Sequence, residues 1–369
     1  MAATVHFWNL RSTHNAPYHA RITRLLKKAG AGETVRAGDL TAVKLHFGEA
    51  GVTSQLQPLQ IKPVVAFLKG LGAKPFLTDT STLYVGQRGE AVSHCMVASA
   101  HGYDAAVLGA PVIMADGLRS THERAVAVAG NHFTEAFLAA DIVEADSMVV
   151  LSHFKGHVAA GYGGALKNLA MGCATRKGKM QQHCGMGPRL DPEKCKACGQ
   201  CIEVCAPGAL RLDEKERIAV ERELCVGCGA CFHACSTGAL EVDWGMEHGR
   251  FIERMMEYAL AVTSNLKRPA VYLNFVLSVT PECDCMGFSD AAICPDLGVL
   301  ASTDPVALDQ ACLDLVDAAP PLFPSKLPKG TKAGESKFLA LNPKMPAAFG
   351  LDYAERLGIG TREYVLKTA

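Results

Sequence analysis

From Met1 to about Ser152, short apolar runs alternate with longer stretches in which apolar residues recur at helical spacing. That pattern predicts parallel strands joined by crossover helices. The strands fall near Val5–Leu10, Thr41–Phe47, Pro75–Asp79, Pro111–Ala115 and Ser147–Ser152. The helices fall near Tyr18–Ala29, Pro58–Lys69, Gly89–Ala100 and Thr134–Glu144, several of them closed by a glycine such as Gly30, Gly70 or Gly102. The expected fold class is α/β, a doubly wound and mostly parallel sheet. After His153 the chain is rich in glycine, then helical over about Ala165–Met171, then polar and irregular to Arg189.

Past residue 243 the helical pattern returns, with Ile252, Met255, Met256, Ala259 and Val262 on one stripe. Ala270–Val279 and Leu297–Ala301 read as two further strands, and Asp304 with Pro305 starts a helix that runs to about Asp317. Residues 318–346 are rich in proline and lysine and read as a surface loop; Ala347–Leu357 reads as a last helix and Glu363–Lys367 as a terminal strand.

The stretch 191–243 breaks this rhythm. Cys195, Cys198, Cys201 and Cys205 are repeated after a thirty-residue step by Cys225, Cys228, Cys231 and Cys235. Each half reads C-x2-C-x2-C-x3-C, the spacing by which a tight loop offers three thiolates to one cubane while the fourth cysteine reaches the other. One [4Fe-4S] cluster is therefore assigned to Cys195, Cys198, Cys201 and Cys235, and its twin to Cys225, Cys228, Cys231 and Cys205. A zinc site would use two CxxC pairs and leave the middle cysteine of each triplet idle. The repeat continues beyond the ligands, with Cys205-Ala-Pro-Gly-Ala-Leu echoed by Cys235-Ser-Thr-Gly-Ala-Leu. The proline usual after the fourth cysteine is displaced to Pro207 in the first half and missing from the second, which leaves the reduction potentials open. The expected organisation is an α/β domain over 1–190 and 244–369, interrupted at 191–243 by a two-cluster, ferredoxin-like insert.

Composition narrows the partners. Lys plus Arg and Asp plus Glu number 37 each, so no long-range field recruits nucleic acid or an acidic membrane. The residues are 49% hydrophobic and 20% charged, a globular balance. Met1–His14 has no apolar run resembling a signal peptide, and Ala270–Val279 is far shorter than the ~20 residues that span a bilayer. A reducing cytoplasm is the expected location.

In an open α/β sheet, ligands bind beyond the carboxyl ends of the strands. The second strand ends with Lys44 and His46 on one face, the third in Asp79, the fourth in Asp116, and the fifth runs into His153, Lys155 and His157, which point one way if the backbone stays extended. Histidine would supply a proton or ligate a metal, and the lysines would hold an anion. Gly163, Gly164, Lys167 and Asn168 open the next helix, where free N–H groups could bind an anion; a tight turn packing the helix on the sheet is the alternative. No Walker or complete G-x-G-x-x-G pattern is present there. Cys283 and Cys285 could make a third metal site, approached by Cys173, Cys184, Cys294 or His183, or be reduced structural thiols; Cys95 and Cys312 read as core.

Several segments together resemble a known family: Lys44-Leu-His-Phe-Gly, Phe76-Leu-Thr-Asp-Thr, Gly109-Ala-Pro-Val-Ile-Met-Ala-Asp-Gly-Leu, Ser152-His-Phe-Lys-Gly-His, Gly163-Gly-Ala-Leu-Lys-Asn-Leu, Cys283-Asp-Cys and Asp304-Pro-Val-Ala-Leu-Asp-Gln. From about Val43 to Val365 the chain resembles the iron-sulfur centre proteins grouped as domain of unknown function 362, with an inserted bacterial-type ferredoxin module. The resemblance implies an α/β domain distantly similar to the N-terminal domain of nickel-pincer lactate racemases, and it implies no particular reaction. No feature of this sequence points to the pincer cofactor. The function expected is an iron-sulfur oxidoreductase that passes electrons from a soluble low-potential partner, through two clusters, to a small anionic substrate or cofactor. The rival is an electron-transfer or maturation protein that docks a protein partner; a redox sensor would need an output module that the sequence lacks.

Overall fold

Ser147–His153 is buried at every position, and so is Val271–Val276. Such strands show no alternation because helices cover both faces of the sheet they belong to. The computed structural model describes residues 2–183, 187–243 and 245–369 and places these two strands side by side at the centre. Across the sheet the order is Tyr364–Thr368, Ala3–Trp8, Gly298–Ser302, Val271–Val276, Ser147–His153, Leu40–Lys44, Lys74–Asp79 and Val112–Met114. Gly298–Ser302 runs against both its neighbours; all other pairings are parallel. The α/β class and the mostly parallel sheet are thus as the pattern predicts.

One face is covered by Tyr18–Lys28 and Pro58–Gly70, through Ile22, Leu25, Ile61, Val64 and Leu68. The other is covered by Ala165–Ala170, His248–Asn265, Pro305–Ala318 and Ala348–Arg356. From Leu40–Lys44 the chain winds outward to Val112–Met114, then returns to pair Ser147–His153 on the opposite side of Leu40–Lys44. The winding reverses between those two strands, and their carboxyl ends leave an open crevice.

Four segments differ from the sequence reading. Thr134–Glu144 is not one helix: Glu135–Ala139 is a strand paired with Glu123–Ala127, followed by a short helix Ala140–Glu144. Ala136 and Leu138 are buried while Glu135 is exposed, a period of two that the alanines disguised. Lys155–His157 does not extend the fifth strand but forms a small hairpin with Gly161–Gly163. The polar stretch before Arg189 contains a helix, Arg176–His183, and the loop 318–346 contains another, Lys337–Leu341.

Around the cysteine repeat, Arg189–Leu190 pairs with Leu240–Glu241 and Leu210–Leu212 pairs with Ile218–Val220. Two short helices, Gln200–Glu203 and Ala230–Ala234, follow glycines with φ of +79° and +69°, Gly199 and Gly229. A small core of Cys201, Leu210, Ile218, Phe232, Leu240 and Val242 also takes in Leu83 and Met180 from the α/β part. Among the described residues no helix is long and apolar enough to cross a membrane.

Candidate functional site

Lys44 lies beneath the crevice. Its ammonium is fully buried and donates to Asp79 Oδ1 at 2.9 Å, Asn168 Oδ1 at 2.7 Å and the Leu45 carbonyl at 2.9 Å, so all three N–H groups are used. Asn168 is held in turn, its amide donating to the Leu151 carbonyl and Ser152 Oγ, both at 3.0 Å. Burial works against the Asp79 carboxylate, but Lys44 beside it, with the neighbouring basic side chains, holds its pKa well below the usual range. Arg88 completes this group, 3.5 Å from Asp79 Oδ2, 3.3 Å from Glu49 Oε2 and 2.5 Å from Tyr84 Oη.

Above this floor opens a cavity of about 390 Å³. His46, His153, Lys155 and His157 line it, as do Gly163, Gly164, Lys167 and Asn168; Lys44 does not. Arg88, Lys179, His183 and Tyr84 line it as well; of these the sequence points only to His183, as a residue that could approach Cys283 and Cys285. Arg88 and Tyr84 follow the third strand, at a place where Asp79 was the only visible signal. Lys179 and His183 belong to Arg176–His183, a helix too polar to show an apolar face.

Charge in the cavity is mainly positive. Lys179 donates to Thr80 Oγ1, the Ser81 carbonyl and the Ala174 carbonyl at 2.6–2.8 Å, all neutral acceptors, and burial lowers its pKa to about 8. Lys155 is held above the ordinary lysine value against the effect of burial, because Asp284 lies 3.2 Å away. Three of the imidazoles are driven towards the neutral form: burial and then Arg88 lower His46, burial and then Lys167 lower His157, and burial and then Lys167 lower His183 to about 3. Nδ1 of His46 accepts the Gly48 N–H at 3.0 Å, and His183 stacks on Phe251 at 4.6 Å. His153 is tied down on both sides, Nδ1 to Asp284 Oδ2 at 2.9 Å and Nε2 to the Leu277 carbonyl at 2.8 Å, so it positions the loop that carries Asp284.

That loop also carries Cys283 and Cys285. Their sulfurs and a ring nitrogen of His157 lie within 4.8 Å of one another, close enough to hold a metal ion. Hydrogen bonding from Cys285, and then Lys167 and Lys155 nearby, hold the Cys283 thiol well below its usual range despite burial. Cys173 and Cys294 sit instead in the core, as does Cys312, and Cys95 packs against the other face. Cys184 lies outside the described residues.

The start of Ala165–Ala170 is already occupied. Asp309, from Pro305–Ala318, accepts the N–H groups of Ala165 and Leu166 at 2.8 and 3.0 Å. The carboxylate that satisfies this helix is therefore the chain's own, and Gly163 and Gly164 contribute to the cavity as wall.

In the cysteine repeat, one cavity is lined by Cys195, Cys198, Cys201 and Cys235, and a second by Cys205, Cys225, Cys228 and Cys231. The fourth cysteine of each half thus faces the other half's triplet. Met180 lines the second of these cavities, while its neighbour Lys179 lines the large one.

The model of a family described as "Domain of unknown function (DUF362)" matches residues 41–314. The chain belongs to that family. The match runs from the strand that carries Lys44 through Cys283, Cys285 and Asp309. Among solved structures, one titled "Structure of the lactate racemase apoprotein from Thermoanaerobacterium thermosaccharolyticum" is similar, at 12% identity and a TM-score of 0.39. The likeness covers 74% of this chain and 51% of that one, so this chain spans about half of that protein's length. No curated protein matches the chain.

Proposed function

We propose that this protein is an iron-sulfur oxidoreductase that reduces a small anionic substrate in the cavity at the strand ends. Two [4Fe-4S] clusters, when bound, would supply one-electron transfer. The donor set fits them: Cys195, Cys198, Cys201 and Cys235 surround one space, and Cys205, Cys225, Cys228 and Cys231 another, as two thiolate quartets require. Arg88, Lys155 and Lys167 would hold the anion, and the neutral imidazoles of His46 and His157 would exchange protons with it. The size of the cavity favours a ligand over a docked protein, since small-molecule sites span roughly 300–1,000 Å³.

The observation that carries the reading is the position of Arg176–His183. Met180 faces the Cys205, Cys225, Cys228 and Cys231 quartet, and Lys179 faces the substrate cavity, so a single helical step separates the two spaces. That quartet is the inner one. A soluble donor would meet the other, where Cys198 is exposed.

Iron and acid-labile sulfide, measured per chain in protein purified without oxygen, test the proposal. About eight of each are expected for two cubanes; about four, or none, would overturn it.

A further inference from the structure

The loop after Val271–Val276 brings two sulfurs to the cavity wall. Cys285 lines the cavity and Cys283 is buried behind it. Met286 N–H donates to the Cys283 carbonyl at 2.9 Å, a tight turn that folds the two side chains towards each other. Lys167 Nζ lies 3.7 Å from Cys283 Sγ. The loop is firmly seated: Asp284 accepts from His153 and Lys155, and the Cys285 carbonyl accepts from Tyr84 Oη at 3.1 Å.

A shared metal ion fits the distances but not the hydrogens. Nδ1 of His157 accepts the N–H groups of Ala159 and Ala160 at 3.1 and 3.0 Å, which leaves the proton of the neutral ring on Nε2. A metal-ligating imidazole does the reverse, donating its second ring N–H to an oxygen acceptor. The Lys167 ammonium would also compete with a metal cation for the Cys283 sulfur, whereas it favours a thiolate that is to attack or depart.

We propose that Cys283 and Cys285 form a redox-active dithiol whose substrate is a small anionic disulfide bound in the cavity. This deepens the oxidoreductase reading and rests on it for the source of electrons. The Cys283 thiolate takes up the proton of Cys285, whose sulfur, the one that lines the cavity, attacks one sulfur of the bound disulfide, forms a mixed disulfide and releases the first thiolate. Cys283 then attacks the Cys285 sulfur, expels the second thiolate and closes the Cys283–Cys285 bond. The proton that the cysteines shared goes to a departing thiolate, so one disulfide is exchanged for another. Two electrons, taken singly from a low-potential iron-sulfur donor, and a proton restore the pair. Lys155, Lys167 and Arg88 select substrates that carry carboxylate or phosphate groups.

The test equilibrates the anaerobic holoprotein in mixtures of reduced and oxidised dithiothreitol, alkylates the free thiols and weighs the peptide that contains Cys283 and Cys285. That peptide should carry two alkyl groups from the reduced buffer and none from the oxidised one, where its mass falls by those two groups alone. The change should vanish in Cys283→Ser and, separately, in Cys285→Ser. With reduced methyl viologen as donor, dithiodipropionate should be reduced about tenfold faster than neutral bis(hydroxyethyl) disulfide, the effect of roughly one ion pair. A transition metal retained in stoichiometric amount and lost in both variants, with thiols indifferent to the buffer, would overturn the dithiol. Disulfide formation without preference for the dianionic probe would overturn the substrate class. The peptide measurement needs no cluster, so a chain without iron whose cysteines still cycle would sink the oxidoreductase reading and leave the dithiol standing.

Discussion

Asp309 shows how much a single side chain decides here. Burial pushes its carboxyl up to about 6, against the lowering effect of the Leu166 and Ala165 N–H groups and of Asn274 and Tyr162. Because the folded chain holds this proton more tightly than the unfolded one, the resulting stability is complete below the ordinary value of 3.8 and is lost as pH rises through about 6. Asp309→Asn cannot titrate, and its amide would set N–H against N–H at Leu166. The variant's stability, followed by urea unfolding, should lack this dependence, and its difference from the parent should change by about 3 kcal/mol between roughly pH 4 and pH 7. Lys44 and His46 were legible as site candidates because each ends an apolar strand run. The role of Asp309 was not, since its partners Ala165 and Leu166 are more than 140 residues away.

Among the elements, the hairpin of Lys155–His157 and Gly161–Gly163 fixes the relation between the lysines and the cysteine loop. It needs glycine at 156, where a Cβ would stand 2.1 Å from the Pro281 carbonyl oxygen. Gly156→Ala should therefore push the cysteine loop away from Lys155 and destabilise the fold by about 1–3 kcal/mol. Thermal unfolding would show the second effect, and slower alkylation-detected cycling of Cys283 and Cys285 the first. The sequence showed a glycine here but not its neighbour, because a close backbone approach leaves no periodic trace. The helix Arg176–His183 escaped for a related reason. Its buried residues include Arg176, Lys179 and Gln182, which donate to the Arg119 carbonyl, Thr80 Oγ1 and the Ala170 carbonyl, acceptors that only the folded chain brings to them.

For the molecule as a whole, the arrangement of the cysteines makes a prediction that neither half makes alone. If the quartets are crossed, Cys195→Ser with Cys235→Ser damages one site and spares the other, so about four irons should remain per chain. Cys195→Ser with Cys205→Ser damages both, and iron should fall towards none. The reverse pattern, about four irons left in Cys195→Ser with Cys205→Ser and none in Cys195→Ser with Cys235→Ser, would show that each half binds its own cluster. The large-scale plan was legible in much the same way as the repeat. Strands from Leu40–Lys44 to Ser147–His153 followed from apolar runs, and the reversal of the sheet between them follows from the order in which they pair.

The sequence by itself determined the doubled spacing of the cysteine repeat, the α/β class and the residues at the strand ends, because each of these is written in local spacing or in short apolar runs. Tertiary structure decided which of those residues face the cavity and which support it. It sent Lys44 beneath the floor to Asp79 and Asn168, tied His153 to Asp284, gave the start of Ala165–Ala170 to Asp309 and brought His157 to Cys283 and Cys285. Buried charges and hydrogen-bonding groups must find partners wherever the packed chain provides them. Those partners lie tens to more than a hundred residues away, beyond the reach of any local pattern.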